Sequence, residues 1–153
     1  MMRNNEMQTT FLSVAENEAF ARVVIAAFAM QLSPTVCEIA DIKTAVSEAV
    51  TNAIVHGYEG TRGMVTLRAS IHDHALLSIE ISDQSKGIAN IQQAMEPFFT
   101  TRPEQERSGM GFAVMQTFMD ELSVESAPGK GTLIRMKKRI RSRDMLENAT
   151  HIL

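Results

Sequence analysis

One stretch constrains this chain more than any other: Ser47-Glu48-Ala49-Val50-Thr51-Asn52-Ala53-Ile54-Val55-His56-Gly57. It reads as the closing turns of a helix, with Gly57 as the residue that stops it. Glu48, Asn52 and His56 are spaced by four and share one helical stripe. The residues between them are mostly Ala, Val and Ile, which suit burial. A carboxylate and an amide on the buried side of a helix are costly unless they line a site. A stripe that simply faces water is the competing reading, and two later stretches argue against it.

The 153 residues predict one domain with a single well-buried core. A hydrophobic content of 44% and a near-neutral mean hydropathy exclude wholesale disorder and membrane insertion. The longest apolar run, Val23 to Met30, is too short to span a bilayer. The first residues lack the apolar segment of a signal peptide. Cys37 is the sole cysteine, so no internal disulfide forms and a reducing, cytoplasmic setting is expected. Six basic residues crowd 135–143 (Arg135, Lys137, Lys138, Arg139, Arg141 and Arg143). With no aromatic residue nearby to stack on bases, they read as a solvated edge strand and tail rather than a nucleic-acid surface.

In chain order, Gln8 to Val14 suggests a first strand and Glu16 to Leu32 an amphipathic helix, with Arg22 a snorkelling residue or a partner contact. Ser33-Pro34 is the expected N-cap and first turn of a second helix that runs to about His56. Residues 64–71 and 77–82 alternate as a hairpin whose return strand runs into Asp83. A short helical piece near 91–95 precedes a proline-containing, charged loop at 96–107, read as a lid. A helix from about Gly109 to Glu121 and a second hairpin, 122–126 with 132–139, complete the domain. Residues 140–153 are expected to be a flexible tail. The fold class is α/β: a two-layer sandwich of a mixed sheet with three helices on one face.

Three stations sit at element ends: Glu48 with Asn52, Asp83 near Gly87, and Ser108-Gly109-Met110-Gly111 at a helix start. Free N–H groups at a helix start, with glycines that allow close approach, suit a phosphate. Taken together with Gly129-x-Gly131-Thr132, their order resembles the ATPases and kinases that include gyrase, histidine kinases and MutL. The stretches 48–57, 99–104 and 106–112 narrow the resemblance to the anti-sigma F factors of spore-forming bacteria, over roughly residues 6 to 139.

That resemblance implies a left-handed βαβ-type, Bergerat-type ATP-binding fold with ATP under the lid. It gives Asp83 the adenine amino group, Asn52 the Mg²⁺ ion and Glu48 the orientation or deprotonation of an attacking hydroxyl. Gly109, Met110 and Gly111 contact the phosphates; Ser108, Thr100 and Arg102 close over them. Gly87 is a further nucleotide-binding position, Thr132 sits close to the adenine pocket, and His56 is a structural helix-end residue. Ser85 departs from the family's Asp-x-Gly-x-Gly pattern, where a Cβ disfavours any left-handed conformation. The implied function is a homodimeric protein serine kinase that sequesters a sporulation sigma factor and phosphorylates an anti-anti-sigma protein. A sigma-sequestering module without kinase turnover is the alternative, and neither reading involves nucleic acid or membrane.

Overall fold

A computed structural model describes residues 4–96 and 111–141. Strand β1 (Asn5–Leu12) is followed by helix α1 (Glu16–Ala29), a 3₁₀ turn (Met30–Leu32) and helix α2 (Val36–Thr51). A π-helical turn, Asn52–Gly57, prolongs α2. Then come β2 (Met64–His72), β3 (Leu76–Asp83), a short α3 (Ile91–Ala94), α4 (Gly111–Phe118), β4 (Glu121–Ser126) and β5 (Thr132–Arg139).

The strands form one sheet in the order β1-β2-β3-β5-β4. Its alternation is regular: Val65, Leu67, Ala69 and Ile71 of β2 are buried, as are Leu77, Ile79 and Ile81 of β3. Their alternate neighbours are polar and more exposed, so one face is apolar and carries the helices. The two-layer sandwich is therefore as expected, but every neighbouring pair is antiparallel and the sheet is not mixed. The reason is where the crossover lands. The chain leaving β3 by way of α4 enters β4, which runs parallel to β3 but is separated from it by β5.

Helix α2 packs between α1 and α4. Its buried residues Ile42, Ala45, Val46, Ala49, Val50 and Ala53 follow helical spacing along one stripe. The N-cap is Thr35 rather than Ser33. Thr35 Oγ1 accepts the Glu38 N–H at 3.1 Å and Glu38 Oε1 accepts the Thr35 N–H at 2.9 Å. This reciprocal box satisfies two helix-start donors, which Ser33 cannot match because the residue three positions on is Val36, with no side-chain acceptor. Ser33 instead adopts φ 51 in the linker. Glu38 Oε2 also accepts the Arg141 N–H at 2.8 Å.

The basic segment is not at an edge, because β5 lies between β3 and β4. Its charges are paired across the open face: Arg135 with Glu125 at 2.9 Å and Glu80 at 3.2 Å, and Lys137 with Glu121 at 3.8 Å. Hydrogen bonding to Glu125, then to Glu80, raises the Arg135 pKa above its ordinary value. Nor do residues 140 and 141 belong to a tail. Ile140 is buried, with its N–H on the Ala75 carbonyl, and Arg141 lies 3.6 Å from Asp120. Residues 142–153, the rest of the expected tail, lie outside the described residues.

Loss of the Thr35 hydroxyl should cost about 1 kcal/mol, the usual worth of such a cap. Glu38→Ala should cost more than Thr35→Ala, since it removes the box and the Arg141 anchor together. Urea unfolding of the two variants measures both; equal losses would mean that the anchor adds nothing.

Candidate functional site

The helix that carries Glu48 and Asn52 does not end as an α-helix. Over its last turn the hydrogen bonds lengthen by one residue, and the Tyr58 N–H reaches the Ala53 carbonyl at 2.8 Å. Such π turns are uncommon and concentrate at functional sites. Here the turn begins at Asn52 and stops at Gly57, as the sequence suggested.

Across from it, the chain leaving β3 forms the loop 84–88. Asp83 is 5% exposed and its Oδ1 accepts the Ser85 N–H at 2.9 Å. The loop is stitched to the β4–β5 turn. The Gly131 N–H reaches the Ser85 carbonyl at 3.0 Å, and the Gly129 N–H reaches the Lys86 carbonyl at 2.6 Å. Ser126 Oγ accepts the Ile88 N–H and donates to the Gly131 carbonyl, both at 2.7 Å. Gly131 has φ +73, and a Cβ there would lie 2.0 Å from the Asp83 carbonyl oxygen. Only glycine permits that approach.

Ser85 is accommodated without the strain expected of it. Among described non-glycine residues only Ser33, Glu59, His74 and Ala75 have positive φ. Its side chain instead fills space beside Gly57, where a Cβ would lie 2.5 Å from Ser85 Oγ and 2.9 Å from Ser85 Cβ. The helix end and the loop are thus in contact.

Between them lies a cavity of about 440 Å³. Glu48, Asn52 and His56 line it from the helix, Gly87 from the loop, Gly111 from the start of α4, and Thr132 from β5. The volume is within the range of small-molecule sites. Of the three sequence-derived stations, the cavity is lined by Glu48 and Asn52 of the first, Gly87 of the second and Gly111 of the third. His56, read as structural, also faces the cavity. Asp83 does not itself line it, but Thr132 does and is the register partner of Asp83. Thr100, Arg102, Ser108, Gly109 and Met110 lie outside the described residues. The motifs did not flag Lys86, Ile88, Asn90, Phe112 or Met115, which also line the cavity. Phe112 and Met115 were legible only as an apolar helix face, and they do both jobs. Lys86 pairs with Glu59 across the loop and the helix end.

The residues present suit a nucleotide with a hard cation. Ile88, Phe112 and Met115 offer apolar surface, and Asn52 offers an amide oxygen. No cluster of three or more His, Cys, Asp or Glu that could cage a metal exists among the described residues. Magnesium needs no such cage when one side chain and substrate phosphates supply its ligands. No helix among the described residues is long and apolar enough to cross a membrane.

The model of the histidine kinase-like ATPase domain matches residues 11–138. A protein of Caldanaerobacter subterraneus named anti-sigma F factor is 63% identical over 140 residues, covering 92% of this chain and 97% of its own. One of the same name from Clostridium acetobutylicum is 58% identical over 138 residues, covering 90% and 96%. Among solved structures, the RsbU and RsbW domains of a Mycobacterium tuberculosis protein superpose with a TM-score of 0.64 at 18% identity. That match covers 89% of this chain and 32% of the other. A histidine kinase domain from Erythrobacter litoralis gives 0.54 at 19% identity, covering 84% and 63%. The two structures share the fold.

Replacing Gly57 with alanine should cost about 1–3 kcal/mol, because its Cβ meets the Ser85 Cβ as well as the rotatable hydroxyl. Adding Ser85→Gly should recover most of that loss. Thermal unfolding of both single variants and the double tests this, and strictly additive losses would show that the two residues do not touch in solution.

Proposed function

The chain belongs to the histidine kinase-like ATPases and, within them, to the anti-sigma F factors, and on that premise we propose that it inhibits a sporulation sigma factor and uses ATP and Mg²⁺ to phosphorylate an anti-anti-sigma protein on serine. One observation carries this reading. Glu48, Asn52, Gly87, Gly111 and Thr132, which come from four separate segments, line a single cavity.

In this reading Asp83 accepts a hydrogen bond from the adenine amino group, with Thr132 beside it and Gly87 letting the loop approach the base. Asn52 gives its amide oxygen to the magnesium ion, whose charge offsets that of the phosphates. Gly111 contacts the phosphates through its backbone, together with Gly109 and Met110, while Ser108, Thr100 and Arg102 close over them. Glu48 lies one turn before Asn52 on the same helix, so it faces the phosphate end of the cavity. There it would orient the incoming serine hydroxyl and take its proton as the oxygen bonds to the γ-phosphorus and the bond from that phosphorus to the departing ADP breaks.

The partner-facing surface is α1. Phe20 and Val23 are 45% and 66% exposed, apolar residues on a helix whose opposite face is buried. Arg22 lies between them. Its Nε is shielded from solvent and 3.0 Å from Glu18 Oε1, an ion pair without hydrogen-bond alignment. Glu18 also accepts the Ser47 hydroxyl, next in sequence to Glu48. A contact at Arg22 is therefore one side chain removed from the helix that carries the site. The protein acts as a cytoplasmic homodimer with the sigma factor and the anti-anti-sigma protein as its partners.

Asp83→Asn should abolish the preference for ATP over GTP in equilibrium binding with Mg²⁺: the Ser85 N–H holds the amide oxygen at the Oδ1 position, which turns the NH2 donor toward the adenine amino group. Glu48→Gln should lower phosphate transfer from radiolabelled ATP to the partner serine by about 10²–10⁴-fold while ATP binding persists. Transfer undiminished in Glu48→Gln would remove that residue from the chemistry. Binding without any transfer by the native chain would leave a nucleotide-set sequestering module.

A further inference from the structure

Tyr58 is the chain's only tyrosine. It follows directly on the π turn, and its hydroxyl joins the first residue of β2 to the first residue after β3. The phenol donates to the Met64 carbonyl at 2.7 Å and accepts the Gln84 N–H at 2.9 Å. Strands β2 and β3 pair in register from His72 with Leu76 to Val65 with Asp83. One step further along that register, Met64 faces Gln84. The phenol oxygen therefore stands between the N–H and the carbonyl that would form the next rung, and it replaces a direct bond with a bridged one. A bridged rung holds the strands apart where β3 turns into the loop 84–88. The displaced rung is the one immediately after Asp83.

The wedge is seated at both ends. A Cβ at Gly63 would lie 2.1 Å from the Tyr58 ring, so the ring rests against bare backbone. On either side of it, Gly57 abuts Ser85 and Glu59 pairs with Lys86. Three consecutive residues at the helix end, 57–59, thus meet the three consecutive residues after Asp83. The end of the helix bearing Asn52 and the strand end bearing Asp83 are fixed to each other through this joint.

We propose that Tyr58 is a positioning residue for adenine recognition, its hydroxyl setting how the Asp83 carboxylate is presented relative to the helix end. The inference rests on the reading of Asp83 as the adenine contact. Hydrogen-bonded groups held in one geometry discriminate between ligands far better than the same groups left free to move. Removing the hydroxyl also leaves the Gln84 N–H without its partner beside the carboxylate.

The test compares ATP with inosine triphosphate, which carries oxygen in place of the adenine amino group. Binding of each with Mg²⁺ is measured on the full native chain, on Tyr58→Phe and on Ser13→Ala. Ser13 Oγ accepts the Gly63 N–H at 2.9 Å and donates to the Thr61 carbonyl at 3.1 Å, supporting the same 58–63 segment without reaching Gln84. Tyr58→Phe should reduce the preference for ATP about three- to ten-fold, the usual worth of one hydrogen bond, whereas Ser13→Ala should leave it within about two-fold. Both should lower Tm.

A native preference kept by Tyr58→Phe, or lost equally by Ser13→Ala, overturns the proposal while the Asp83 reading stands. A native chain with no preference overturns both. If Tyr58→Phe does not fold, ring-fluorinated tyrosine incorporated into the native chain gives a single fluorine resonance at this position. It should shift on saturation with ATP more than with inosine triphosphate, and equal or absent shifts overturn the proposal.

Discussion

The architecture depends on one asymmetry: an antiparallel sheet with a single apolar face. Val65, Leu67, Ile79, Ile81 and Ile134 point to one side, where α1 packs on β2 and α2 on β3. Burying that stripe fixes both the rotation of α2 and its axial position. The rotation brings Glu48, Asn52 and His56 to one side of the helix, beyond its buried residues. The axial position brings the π turn alongside the point where β3 ends. The cavity exists because the helix outruns the apolar face that holds it down.

Much of this was readable from the residues. The alternation in β2, β3 and β5 and the three-and-four spacing in α2 are direct records of one-sided burial, so element types followed from period alone. The spacing of Glu48, Asn52 and His56 placed them on one wall of the cavity. Two errors share a cause. Ser33 was preferred as a cap because Ser-Pro is a strong local signal, yet the reciprocal bonds of Thr35 and Glu38 satisfy one more donor. Six crowded basic residues without aromatic neighbours suggest a solvated edge, yet a strand with one polar face can carry such charges wherever it sits in the sheet. Strand order is set by contacts distant in sequence and leaves little local trace.

Ser85 shows how a motif departure can mislead in one direction. A glycine in a family pattern invites the inference that its backbone needs positive φ, so a serine there looks like damage. Here the φ is ordinary, and the substituent occupies space left open by Gly57 on another element. A motif glycine can record bare space as well as backbone freedom. The two have opposite consequences: lost freedom is a local strain, whereas filled space is a packing gain that depends on a partner.

One carboxylate reaches farther than its place in the sequence suggests. Glu38 holds the first turn of α2 with one oxygen and the backbone beyond β5 with the other. The chain leaving the sheet is thus moored to the opposite end of the helix from the cavity. Tension applied at Arg141 would be shared among that carboxylate, Asp120 and the Ala75 carbonyl, and only the first of these lies on the helix that carries Glu48 and Asn52. One helix thus has the chain's exit from the sheet at its first turn and the cavity at its last.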